Sequence, residues 1–190
     1  MEALRMGMGA AGFALFFLND YNDWRWSSRR LRWCFPLGAL LVAAATVWGA
    51  AAGLSGRDWT APRAAAAVGA AVFLWLLADA LVFSLPGEEA YASQGEARPV
   101  CTRGAYALCR HPGVLWLAGC YACLWQGCGF PWREGVLYSA LNLLLVAFED
   151  RCVFPARLEG YGDYQAATPF LLPNQQSISA FLTSGGLRRR

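Results

Sequence analysis

The sequence predicts an all-α integral membrane protein of about five transmembrane helices, the last two a hairpin, with a cytoplasmic C-terminal tail. Three observations carry this. Of 190 residues, 57% are hydrophobic and only 15% are charged, against roughly 25% charged in an average soluble domain. Two apolar stretches reach the about 20 residues needed to cross roughly 30 Å of hydrocarbon at about 1.5 Å per residue. All 16 basic residues are arginine, and they divide unequally between alternate loops.

The first predicted span, Met6–Leu18, ends in Asn19-Asp20-Tyr21 without a small-residue cleavage site, so it reads as a helix that stays rather than as a signal peptide. Trp33–Leu54 carries no charge and Ala64–Leu85 carries only Asp79. The segment between them, Gly56 to Arg63, has the turn and charge signals of a short connection, so the two form a hairpin. Gly113–Phe130 and Gly135–Phe148 flank a Pro131-Trp132-Arg133-Glu134 turn and are short enough to be tilted or partly shielded spans. Five spans put 12 arginines on the face holding the C-terminus and 4 on the other. Cations are retained on the cytoplasmic side during insertion, which places the N-terminus outside and the C-terminus in the cytoplasm. Residues 1–99 are then membrane helices and a loop, 100–173 the functional region, and 174–190 a polar basic tail.

Composition also excludes. Without a lysine there is no Schiff-base chemistry and no P-loop. Seven cysteines in no zinc-finger array, and one histidine, give no disulfide framework and no metal cluster. Neither a metal nor a nucleic acid is an expected partner.

The polar loop Pro86–Pro112 ends in Thr102-Arg-Gly-Ala-Tyr-Ala-Leu-Cys-Arg-His-Pro112, which sets the single histidine, His111, between Arg110 and a proline able to open the next helix. If Ala105–Arg110 forms a helical turn, Tyr106 and Arg110 share a face. Glu149-Asp150 closes the last span. Because the last two spans are antiparallel neighbours, Arg110-His111 and Glu149-Asp150 are expected to meet at one membrane face, a cation pair against an acid pair.

These residues, Gly104-Ala-Tyr106, Arg110-His111-Pro112, Glu149-Asp150, Tyr161-Gly-Asp-Tyr164 and Pro169 through Pro173, resemble the membrane methyltransferases that include isoprenylcysteine carboxyl and phosphatidylethanolamine methyltransferases. The resemblance covers roughly Val100–Pro173. It implies S-adenosylmethionine bound in a cytoplasmic pocket over the last two spans by Tyr106, Arg110, His111, Pro112, Glu149 and Asp150. Arg110 or His111 would lie near the cofactor carboxylate and Glu149 near its amino or ribose groups. The implied acceptor is lipophilic or membrane-bound, with Asp79, Tyr161 and Tyr164 on the substrate side. Where the family continues Arg-His-Pro with x-Tyr-x-Gly, this chain has Gly113-Val-Leu-Trp116; Gly113 and Gly119 are the candidates for supplying that space.

Plainer readings accompany each feature. Arg110-His111 can anchor a helix end at the headgroups, Glu149-Asp150 can be a solvated helix end, and Tyr161 and Tyr164 can be interfacial aromatics. Asp79, about 9 Å inside its span, suits a cavity floor or a pairing with Asn142. Cys120-x-x-Cys123 reads as helix packing, and Gly49-x-x-x-Gly53 as close helix contact. The Arg-His-Pro segment and Tyr-x-x-Tyr tail also resemble sterol-type membrane reductases using NADPH, and a non-catalytic membrane scaffold is the third possibility.

Overall fold

A computed structural model describes residues 1–83 and 98–183. Ser84 and Leu85 of the third predicted span, the loop from Pro86 to Ala97, and Arg188 to Arg190 lie outside the described residues. The fold is helical, built on α1 (Glu2–Tyr21), α2 (Cys34–Leu54), α3 (Ala61–Ala78), α4 (Pro112–Cys128) and α5 (Trp132–Phe148). Short helices α6 (Phe154–Arg157), α7 (Tyr161–Ala167) and α8 (Gln175–Thr183) follow.

Local chemistry explains the boundaries. Pro62 and Pro112 open α3 and α4 within the first turn, where a missing N–H costs nothing. Gly129 ends α4 at φ +71, and the N–H groups of Gly129 and Phe130 close back on Trp125 and Leu124. Asn174 caps α8 by accepting from the Ser177 N–H at 2.8 Å while Ser177 Oγ accepts from the Asn174 N–H at 3.0 Å. That reciprocal cap turns the first part of the expected polar tail into a helix.

Two stretches, Leu31–Leu54 and Ala61–Leu81, are long and apolar enough to cross a membrane, with mean hydropathies of 1.9 and 2.0. Only 17% and 11% of these stretches is buried inside the protein, so their apolar surface faces outward. A core helix of a soluble protein would be mostly covered.

α1 packs on α2 and α5, and α4 packs on α5, α2 and α3, so α1, α2, α4 and α5 enclose the core while α3 lies outside against α4. Phe13, Ala45, Tyr121, Phe130 and Tyr138 form that core. Small residues set the helix distances. A Cβ on Gly12 would lie 2.8 Å from the Gly38 carbonyl oxygen, and one on Gly38 would lie 2.7 Å from the Gly12 oxygen, so α1 and α2 meet backbone to backbone. Gly49 takes the Phe130 ring and Gly53 the carbonyls of Cys128 and Gly129, the close contact expected of that glycine pair. Cys120 and Cys123 face Ala70 and Gly69 of α3, as packing residues.

At the α4–α5 turn, Arg5 reaches Glu134 through Nη2 at 2.7 Å and Nε at 3.1 Å, and Tyr138 OH donates to the Arg5 carbonyl at 2.8 Å. Glu134 is fully buried. This pair explains why α1 begins four residues before its predicted apolar run. At the other end, α1, α3 and α5 each continue into a π-helical turn, over Asn22–Trp26, Asp79–Phe83 and Glu149–Val153. π turns are frequent at functional sites, and these three carry Asp23, Asp79, Glu149 and Asp150.

Candidate functional site

Asp150 is the centre of the site. It sits in the π turn that ends α5, whose wider winding turns its carboxylate inward. Arg110 donates from Nε to Oδ1 at 2.8 Å and from Nη2 to Oδ2 at 3.1 Å. His111 Nε2 lies 3.1 Å from Oδ1, Tyr161 OH donates to Oδ1 at 2.6 Å, and Gln165 Nε2 donates to Oδ2 at 3.2 Å and to the Asp150 carbonyl at 2.9 Å. The expected meeting of Arg110-His111 with Glu149-Asp150 is therefore made by Asp150.

The remaining donors of Arg110 tie in the tail: Nη1 reaches the carbonyls of Gln165 at 3.1 Å and Thr168 at 2.6 Å. The backbone N–H groups of Arg110 and His111 donate to Pro169 and Phe170. A two-residue parallel pairing joins Arg98–Pro99 (β1) to Leu158–Glu159 (β2). Pro112 is buried as the first residue of α4, holding Arg110-His111 at the helix mouth. With side-chain exposures of 12% for Arg110 and 9% for Asp150, this is an enclosed pair and not a headgroup anchor or a solvated helix end.

The electrostatics follow from the packing. The Arg110 guanidinium and the Tyr161 and His111 hydrogen bonds outweigh burial and hold the Asp150 carboxyl well below the usual range. His111 is pushed down by burial, stacked on Phe154 and edge-on to Phe170, so it is neutral and its Nε2–H donates to Asp150. Burial raises Tyr106, Tyr161 and Tyr164, which stay protonated donors.

Tyr106 and Arg110 do not share a helical face. The 3₁₀ turn Gly104–Ala107 stops short of Arg110, and Tyr106 OH instead donates to the Ala80 carbonyl at 3.0 Å. Tyr164 OH donates to the Tyr106 carbonyl at 2.7 Å. Tyr161 and Tyr164 are both buried and hold the two halves of the motif together, so the interfacial-aromatic reading does not apply. Asp79 opens the π turn after α3 and acts electrostatically on Tyr106, which brings it to the same face. Gly119 offers no free space, because a Cβ there would lie 2.7 Å from the Phe73 ring; that gap is filled by α3.

Glu149, beside the hub, turns toward α1 and meets Asp20. Sequence reasoning passed over Asp20, Gln165 and Thr168. Only the polar residue closing a short apolar run signalled Asp20, and the two tail residues act partly through backbone carbonyls, which leave no trace in residue type. A cavity of about 420 Å³ adjoins the hub, sharing Tyr164 and Thr168 with it and bordered also by Thr102, Asp163 and Gln176. A second, of about 520 Å³, lies between α4 and α5 among Tyr121, Trp125, Trp132 and Val136. No protein-family model matches the chain, and neither a curated protein nor a solved structure matches it.

Proposed function

We propose that this chain is an integral-membrane methyltransferase that moves a methyl group from S-adenosylmethionine to a lipophilic or membrane-adjacent acceptor, an isoprenylcysteine-like carboxylate or a phospholipid amine. The observation that carries the reading is the closure of two motif halves, Tyr106–Pro112 and Glu149–Tyr164, around the Asp150 carboxylate. Such a lock fixes the backbone of the Arg-His-Pro segment at the mouth of the α4–α5 hairpin, where a cofactor must be held in alignment. In this reading all five long helices cross the membrane, the N-terminus is outside, and the face with Asp150 is cytoplasmic.

The residues fit a cationic cofactor. Asp20 Oδ2 is a fully enclosed oxygen without a hydrogen-bond donor, and Glu149 and the Tyr106 ring lie in the same neighbourhood. A sulfonium bearing an amino group suits such acidic and aromatic surroundings. Bound S-adenosylmethionine supplies an activated methyl, and displacement at that carbon needs neither a metal nor a covalent enzyme intermediate. The chain itself binds, orients and excludes water: Glu149 takes the amino or ribose groups, Asp150 and His111 hold the Arg-His-Pro backbone, and Tyr106 closes the side toward α3.

Titration of purified protein with S-adenosylhomocysteine and with NADPH by calorimetry tests this. Binding of S-adenosylhomocysteine, lost in Glu149→Ala and in His111→Ala, is the expected outcome. Binding of NADPH alone would overturn it in favour of a reductase, and binding of neither would favour a scaffold.

A further inference from the structure

We infer that the turn joining α1 to α2 is a binding site for an anionic phospholipid: Arg25, Arg29, Arg30 and Arg32 take the headgroup phosphate, and the outer face of α2 takes an acyl chain. The inference is independent of methyl transfer and rests only on Leu31–Leu54 as a membrane span.

Between Trp24 and Trp33 the chain places four arginines and no acid in ten residues. All four are exposed, and among the described residues none pairs with an acid, whereas Arg5 and Arg110 are each held by a carboxylate. The Arg25 guanidinium lies 4.3 Å over the Trp24 ring, a contact that uses its face and leaves its N–H donors for other partners. The planar fork of arginine matches phosphate oxygens two at a time.

The turn that presents these groups is preformed. Ser27 takes the left-handed conformation at φ +53, and its N–H donates to the Asn22 carbonyl at 2.7 Å. The fully buried Asn22 side chain accepts from the Ser28 N–H at 2.8 Å and donates to the Ser28 carbonyl at 3.1 Å. From α6, Arg157 donates to Ser27 Oγ at 2.7 Å and to the Asp23 carbonyl. A turn clamped from both sides loses little freedom when a ligand arrives.

The neighbouring apolar groups identify the phosphate as that of a lipid. Trp26 is 57% exposed and Trp33 70% exposed, and such rings settle at headgroup level. Arg32 lies in the 3₁₀ turn Leu31–Trp33 that opens the apolar stretch, so its charge sits where hydrocarbon gives way to phosphate. From there Trp33, Leu37, Leu40 and Val47, spaced by four, three and seven, form one exposed stripe along α2. The stripe is roughly 21 Å long, more than half of the roughly 30 Å hydrocarbon core, so an acyl chain entering at the turn has an apolar wall through its whole leaflet. A nucleic acid would match the arginines and leave that stripe uncovered.

The deciding experiment titrates the full-length protein, stripped of lipid in detergent, with dioctanoyl phosphatidylglycerol and with dioctanoyl phosphatidylcholine, and counts bound lipid by native mass spectrometry. Phosphatidylglycerol is expected to bind at least about tenfold more tightly, and Arg30→Gln/Arg32→Gln to cut its affinity at least about tenfold while leaving phosphatidylcholine unchanged. Trp33→Ala should weaken both lipids, and Arg133→Gln, at an exposed position by the α4–α5 turn, neither. Equal affinity for the two lipids, or phosphatidylglycerol binding unchanged in the double variant, would overturn the inference. So would tighter binding of a single-stranded oligonucleotide that the double variant loses. S-adenosylhomocysteine affinity measured on the same samples reports methyl transfer separately, so either reading can fail alone.

Discussion

Replacing Asp150 with asparagine keeps the shape of the side chain and removes its charge, which isolates the electrostatic part of the hub. In the wild type the carboxylate accepts from Arg110 twice, from His111, from Tyr161 and from Gln165. The asparagine amide presents one acceptor oxygen, and its NH₂ group faces a guanidinium that is nearly enclosed. Breaking a buried ion pair from one side costs about 3–5 kcal/mol. At roughly 2–4 °C per kcal/mol for a chain of this size, unfolding should move down by on the order of 10 °C. Thermal unfolding in detergent, followed through the buried cysteines with a thiol-reactive dye, reads this directly. The sign with pH is fixed too. Because the folded Asp150 lies below its unfolded value, its contribution is fully present above about pH 4 and lost progressively as pH falls through the lower folded value, so the gap between wild type and variant should narrow steadily on acidification below that point. A shift under about 2 °C at pH 7, or a gap that does not narrow at all as pH falls below about 4, would refute the placement of Asp150 at the centre of the site.

Two further perturbations probe the scaffold. Glu134→Gln strands the Arg5 guanidinium and should cost about 3–5 kcal/mol in the same assay. Glu134 lies roughly 24 Å along α5 from Asp150, so S-adenosylhomocysteine affinity should not change at a temperature where the variant is folded; altered affinity would count against two separate ends. Gly38→Val drives a side chain into the Gly12 carbonyl and should destabilise by about 1–3 kcal/mol, whereas a neutral result would mean that α1 and α2 do not cross so closely.

The sequence by itself determined the helical class, the two long apolar stretches, and the approach of the Arg110-His111 segment to the Glu149-Asp150 end of α5, made by Asp150. Each follows from apolar run length and from the rule that a tight turn makes antiparallel neighbours, both local in sequence. It also located the glycine contact at Gly49 and Gly53 and the proline that opens α4. It misread the turn at Tyr106, because whether a 3₁₀ turn continues into an α-helix depends on the Ala80 carbonyl, a group far along the chain.

Only the tertiary structure decided which acid does what. Glu149 and Asp150 are adjacent and chemically alike, yet the winding of the π turn sends one to Arg110 and the other to Asp20. The partnerships of Arg5 with Glu134, across 129 positions, and of Asp20 with Glu149 come from helices that meet only when the bundle closes. Composition and spacing reveal which charged groups a chain owns. Burial decides which of them are neutralised, and only packing sets burial, so the pairing of Asp150 with Arg110 and His111 and the turn of Glu149 toward Asp20 come into view only in the folded chain.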